Sequence, residues 1–150
     1  MKLALAQLDQ TPGDVAENVD RAAAAVADAA ARGADLVVLP ELFTVGFFAF
    51  ESYARVAEGL GGPTFDRLAD VAADHGVGLL AGSHVEDLEA SADAGADVPA
   101  TEGLANTCVF YDRDGERRGV YRKHHLFGYE SAEARLLTPG ERLATVEFEG

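Results

Sequence analysis

Apolar residues recur along the chain in two spacings, short continuous runs and longer stretches at the helical period, and their alternation predicts an α/β arrangement. Lys2 to Leu8 reads as a first strand. Thr11-Pro12-Gly13-Asp14 is a turn whose last residue can cap a helix, and the alanine-rich run from Val15 to Arg32 follows, stopped by Gly33. Ala34 to Pro40 is a strand of the kind buried on both faces. After a loop rich in Phe and Gly from Leu42 to Phe50, the spacing predicts a short helix over Ser52 to Glu58 and a longer one over Thr64 to His75, with Pro63 at its start and Gly76 at its end. Val77 to Ser83 and Leu104 to Tyr111 are two more strands. Asp112-Arg113-Asp114-Gly115 joins the second of them to Arg117 through Tyr121 as a hairpin, so these neighbours should be antiparallel. Ala144 to Phe148 would begin one more strand, and the acidic stretch between Glu86 and Glu102, which lacks apolar periodicity, reads as a solvated mobile loop.

Composition narrows the class. A chain of 150 residues that is 48% hydrophobic can bury a core as one domain, and no internal repeat or linker marks a second. No apolar run is long enough to cross a bilayer, and Met1 to Asp9 is an apolar strand rather than a targeting segment, so the expectation is a cytoplasmic protein without a membrane partner. The single cysteine, Cys108, excludes an internal disulfide framework and a cysteine-rich zinc site. With 26 Asp plus Glu against 12 Lys plus Arg, a net charge of -14, a basic nucleic-acid-binding face is excluded. Such acid excess with so little lysine is the surface expected in a high-salt cytoplasm, where screening removes most self-repulsion.

Two residues carry candidate chemistry. Pro40-Glu41 puts a carboxylate at the carboxyl end of a buried strand, where open α/β sheets form ligand crevices. Between Leu39 and Leu42-Phe43 it is poorly placed to be merely exposed and should have a partner. Lys123, one of two lysines against ten arginines, stands at the exit of a later strand and can be that partner. Unlike arginine, lysine is a compact charge whose pKa shifts on burial, although as a lone residue it reads first as a surface lysine at the end of a hairpin. A carboxylate beside it in a desolvated crevice would serve as a general base. Cys108, in mid-strand, reads as a buried hydrophobe rather than a nucleophile. His124 and His125 are adjacent and cannot easily face one ion, so no metal is expected. His75 reads as a surface residue at a helix end and His84 as structural or as rim of the crevice. Phe43, Phe47, Phe48 and Phe50 are core or crevice lining.

Gln7, Leu39-Pro40-Glu41-Leu42-Phe43, Gly82-Ser83, Asn106-Thr107 and Tyr121-Arg122-Lys123-His124-His125-Leu126-Phe127, in that order, resemble the N-terminal part of the nitrilase superfamily, the carbon-nitrogen hydrolases. The resemblance implies a four-layer αββα sandwich, here only its N-terminal portion, and a Glu-Lys-Cys catalytic set without a cofactor. Residue by residue, Glu41 matches the general base, Lys123 the lysine that steadies the tetrahedral intermediate, and Glu130 the second, positioning glutamate. His125 fits the pattern as a residue ordering the loop around Lys123; Phe47, from the aromatic loop after Glu41, is the candidate for substrate lining. The cysteine has no match, which makes the expectation a carbon-nitrogen hydrolase domain incomplete at its C-terminus. The substrate implied is a small amide or carbamoyl compound, with nitriles less favoured, and the assembly implied is a homo-oligomer. A catalytically inactive binding or assembly module that keeps the fold is the competing reading.

Overall fold

The computed structural model describes residues 1–149; Gly150 lies outside the described residues. Five strands form one mixed sheet in sequence order: β1 (Leu3–Leu5), β2 (Leu36–Val38), β3 (Gly78–Asp87), β4 (Leu104–Tyr111) and β5 (Arg117–Arg122). The helices are α1 (Val15–Ala31), α2 (Tyr53–Val56), α3 (Pro63–His75), α4 (Leu88–Asp93) and α5 (Ala132–Leu136), with one 3-10 turn at Phe50–Ser52. β1, β2 and β3 pair parallel, while β4 is antiparallel to β3 and β5 antiparallel to β4. Two reversals restore the original direction, so β5 runs the same way as β2. The carboxyl ends of both strands therefore open on one edge of the sheet, together with the amino end of β4.

The helical termini follow their sequence signals. The Asp14 carboxylate accepts from the Glu17 amide at 3.1 Å and starts α1. Pro63 occupies the first turn of α3, where a missing amide hydrogen costs nothing, and Gly76 ends it in the left-handed conformation. α1 and α3 lie against one face of the sheet. Ala22 and Val26 from α1 and Phe65, Leu68 and Val71 from α3 meet Val37, Leu79, Val109 and Tyr111 from the strands in the main core. This is the helix-on-sheet half of an α/β sandwich.

Several elements depart from the patterned expectation. β1 is shorter than Lys2 to Leu8, because its only partner, β2, offers three residues to pair. β3 continues past Ser83 to Asp87. His84 and Glu86 look like loop residues in the sequence, but both are buried inside the strand because each finds a polar partner there. The acidic stretch after Glu86 is not all loop. The Asp87 carboxylate accepts from the Ala90 amide at 3.1 Å and starts α4, whose Leu88 and Ser91 are buried. Ala144 to Phe148 forms no strand. It crosses the sheet face opposite α1 and α3, so closely that a methyl group added at Gly119 would lie 2.6 Å from Val146 and one added at Gly78 2.7 Å from Phe148. The Phe148 ring meets Phe110 edge-on at 5.4 Å.

Leu79 sits in the central strand with no exposed surface. Leu79→Ala should lower stability by roughly 2–5 kcal/mol, seen as a lower urea midpoint with an unchanged slope.

Candidate active site

Chain direction brings the site together. Leu39 extends β2 by donating its amide to the Leu80 carbonyl at 2.9 Å, and Pro40 then turns the chain so that Glu41 leaves the sheet. On the other side, the Lys123 amide donates to the Asn106 carbonyl at 2.9 Å, continuing β5 one residue beyond its last ladder pair. Asn106 opens the inner part of β4 between them. The Lys123 ammonium donates to Glu41 Oε1 at 2.8 Å and to Glu133 Oε1 and Oε2 at 3.0 and 3.2 Å. Asn106 Nδ2 donates to Glu41 Oε1 at 2.8 Å and to Glu133 Oε1 at 3.3 Å, tying the two carboxylates together.

The two glutamates differ in exposure. The Glu133 side chain is 1% exposed and that of Glu41 47%. Glu133 also accepts from the Phe127 amide at 2.5 Å, so both its oxygens are spoken for. Among the described residues Glu41 accepts through Oε1 alone. One carboxylate is thus locked inside the fold and the other faces outward with an oxygen to spare. The Phe47 ring lies 5.4 Å from the ammonium, and the Tyr53 hydroxyl donates to the Phe47 carbonyl at 2.7 Å, fixing that aromatic loop. Burial pushes the Tyr53 phenol well above its ordinary value, and the charges of Glu133 and Glu41 add to the rise.

The structure brings Glu41, Lys123 and Phe47 together but not Glu130. Glu130 is exposed, sits at φ 54 in the turn before α5, and engages Arg135 only through its carbonyl. The physical reason is the cap. Ser131 accepts from the Ala134 amide at 3.1 Å, so α5 starts after Glu130, and Glu133 in its first turn points inward. A serine followed by alanine-glutamate-alanine was the sequence signal for this. His125 is likewise at the surface, and no hydrogen bond ties it to Lys123 among the described residues. Its neighbour orders the loop instead, since His124 Nε2 lies 2.9 Å from the Arg142 carbonyl and its ring packs 5.3 Å from Tyr121. Asn106, singled out in sequence only as part of a motif, is the bridging residue. Cys108 lines an apolar cavity of about 380 Å³ with Leu36, Leu80, Phe110, Tyr121 and Phe148, and burial pushes its thiol up to about 11. His75 is exposed at the end of α3, while His84 is buried.

A second charged pair supports the strand that presents Lys123. Arg122 grips the fully buried Glu86 through Nε and Nη2, both at 2.7 Å, and Thr107 Oγ1 donates to the same carboxylate at 2.6 Å. Removing one partner of such a pair strands the other charge without water.

For Lys123, desolvation works to lower the pKa, but the hydrogen bonds and charges of Glu41 and Glu133 outweigh it and hold the ammonium above the ordinary 10.5. A raised folded-state value means that the stabilisation is complete below the unfolded pKa and is lost as pH climbs through the folded one. Stability should therefore fall on the alkaline side above pH 10.5, and Lys123→Met should remove that part of the fall when urea midpoints are followed against pH. Arg122→Leu should cost about 3–5 kcal/mol by leaving Glu86 unpaired. Arg32→Leu, which removes an exposed i,i+4 pair with Asp28, should leave the urea midpoint nearly unchanged.

A family model described as carbon-nitrogen hydrolase matches residues 2–149. The 2-oxoglutaramate amidase of Paenarthrobacter nicotinovorans is 34% identical over 116 residues, 77% of this chain and 37% of that protein. The omega-amidase of Homo sapiens is 33% identical over 152 residues, 97% of this chain and 50% of that protein. The crystal structure of an amidase from Nesterenkonia sp. superposes with a TM-score of 0.75 at 30% identity, covering 95% of this chain and 49% of that one. Nit3 of Saccharomyces cerevisiae, a member of the nitrilase superfamily, gives a TM-score of 0.79 at 27% identity over 99% of this chain and 52% of that one. Other structures of the Nesterenkonia amidase hold butyramide, or acrylamide joined by Michael addition to its active-site cysteine. The chain spans about half the length of the human omega-amidase and of these solved structures.

Proposed function

Because the chain belongs to the carbon-nitrogen hydrolase family, within the nitrilase superfamily, we propose that Glu41, Lys123 and Glu133 are the polar part of an amidase site of Glu-Lys-Cys type. The observation that carries this reading is the single ammonium held between an outward carboxylate and a buried one, 2.8 Å from the first and 3.0 Å from the second. An ion pair kept only for stability would gain little from leaving one partner nearly half exposed.

Glu41 is the general base. Its free oxygen takes the proton from a thiol, and the resulting thiolate attacks the carbonyl carbon of an amide. Lys123 donates to the oxygen on which negative charge develops, a role suited to a compact ammonium because its charge can follow electron density without imposing a planar fork. Glu133 holds Lys123 in place and Asn106 keeps Glu41 beside it. The amine leaves with a proton delivered by Glu41, and the same carboxylate then activates the water that hydrolyses the thioester. The nucleophile is a cysteine that these 150 residues do not include. Cys108 is a poor alternative, since its burial opposes thiolate formation and it lines a different, apolar cavity.

The substrate class is a small amide. Support comes from the amidases among the relatives and from the butyramide and acrylamide held by the Nesterenkonia enzyme. Phe47 beside the ammonium offers an apolar wall for a short acyl chain. Carbamoyl compounds fit the same polar set, since they present a carbonyl and an amine leaving group, and the reaction needs no cofactor.

Ammonia release from a panel of short amides, N-carbamoyl compounds and nitriles, measured on the protein at its full natural length, tests this. Glu41→Gln and Lys123→Met should each lower kcat by about a thousandfold or more. Glu133→Ala should fall nearly as far, whereas Glu130→Ala should stay close to the parent. Full activity in Glu41→Gln would sink the assignment of the base.

A further inference from the structure

We propose that Ser83 is a positioning residue for Glu41, acting through the backbone of Leu42; this rests on the reading of Glu41 as the general base. Three observations meet at this point. First, Leu42 has φ 47, the left-handed region that a branched side chain seldom enters without compensation. Glu41 is the residue just before it, so the direction of its side chain depends on that unusual dihedral being held. Second, the Leu42 amide donates to Ser83 Oγ at 2.7 Å in a site where both residues are buried. Third, the β3–β4 ladder shifts between Ala81 and His84, leaving Gly82 and Ser83 together opposite Cys108.

That extra residue is a β-bulge, a device that re-aims one side chain out of the regular alternation. Here it turns Ser83 toward the loop that carries Glu41. Gly82 makes the approach possible. A methyl group added there would fall 1.8 Å from the Leu39 carbonyl oxygen and 2.5 Å from that of Pro40. The strand therefore runs directly under the chain entering Glu41, with no side chain between them. A second strut comes from the next residue. His84 Nδ1 lies 2.7 Å from Thr44 Oγ1, two residues beyond Leu42, and its Nε2 lies 3.3 Å from Glu58 Oε1 without hydrogen-bond geometry. Burial works to raise the Glu58 carboxyl, but the His84 and Thr64 contacts outweigh it and hold it low, so a charge faces the ring. Ser83 and His84 thus pin the loop on either side of Phe43, which is itself fully buried.

The Leu42 side chain closes the arrangement from the other side. It is fully buried among Val45, Ala49, Tyr53, Val85 and Leu137, so the loop cannot relax by swinging Leu42 outward. Its carbonyl accepts from the Gly46 amide at 2.8 Å, which commits the next residues to a tight turn. With side chain and carbonyl engaged, the amide is the group that selects the φ value, and Ser83 is its partner.

The test is a double-mutant cycle with kinetics on a short aliphatic amide and on an activated aryl ester of the same acyl group, whose better leaving group keeps slow variants measurable. Ser83→Ala should lower kcat on the amide by about ten- to a hundredfold with KM changed less than about threefold, as expected for a misplaced base and not for a lost binding contact. Ser83→Thr, which keeps the hydroxyl, should recover most of the rate. On the ester, Ser83→Ala should slow the parent protein but add nothing in the Glu41→Gln background, because no base remains to be positioned. Equal slowing in both backgrounds, or wild-type kcat in Ser83→Ala, would overturn the inference. An inactive Glu41→Gln beside a fully active Ser83→Ala would overturn the inference alone, whereas an active Glu41→Gln would overturn the base assignment beneath it. Should Ser83→Ala not fold, Ser83→Cys keeps the volume, weakens the acceptor, and carries the same expectations.

Discussion

An ammonium between two carboxylates leaves one negative charge in excess, and a partly desolvated pocket tolerates that only when donors are fixed around it. Lys123, Asn106 and the Phe127 amide supply those donors, each from a different element. The rest of the sheet edge is arranged to deliver them. β2 and β5 must run the same way, β4 must run oppositely between β3 and β5, and α5 must begin at Ser131 so that Glu133 reaches back. The asymmetry of the two carboxylates follows from their supports. Glu133 hangs from a helical turn folded over the site, whereas Glu41 stands on a loop that is pinned from below by β3 and open above.

The neighbouring polar groups obey the same rule of fixed pairing. Glu86 is fully buried yet fully satisfied by Arg122 and Thr107, and it stands on the strand beside the one that presents Asn106. His84 departs from the rule at one atom, since its Nε2 faces Glu58 without a bond of good geometry. Buried polar networks of this kind rigidify a region when complete. Their concentration along one sheet edge, next to the apolar core that α1 and α3 cover, separates the part of the fold that stabilises from the part that positions.

Much of this was readable in the residues, and the failures have identifiable causes. The long helix, the strand ending at Pro40 and the β4–β5 hairpin were legible because their apolar periodicity and turn residues agree with their tertiary setting. Glu41 stood out because it follows an apolar strand, and Lys123 because it is one of two lysines and stands at the exit of another strand. The extension of β3 was not, because polar His84 and acidic Glu86 break the apolar run after Ser83, and their partners on other elements are not visible in the sequence. Glu130 and Glu133 lie three residues apart, and only the position of the helix cap decides which one turns inward. Ala144 to Phe148 has strand-like composition, but its apolar side chains pack across a sheet face, a choice that depends on the glycines at 78 and 119 leaving room.

The partners in the lysine–Glu41 contact are 82 residues apart in the chain. The β4–β5 hairpin that carries the lysine is local and closes early by comparison, while the parallel pairing of β2 with β3 that delivers Glu41 must first bring distant segments together across a helical crossover. A chain caught between those events would hold its lysine without the Glu41 carboxylate beside it. The cluster of one ammonium and two carboxylates is in this sense a property of the completed sheet, and no local segment of the chain can hold it alone.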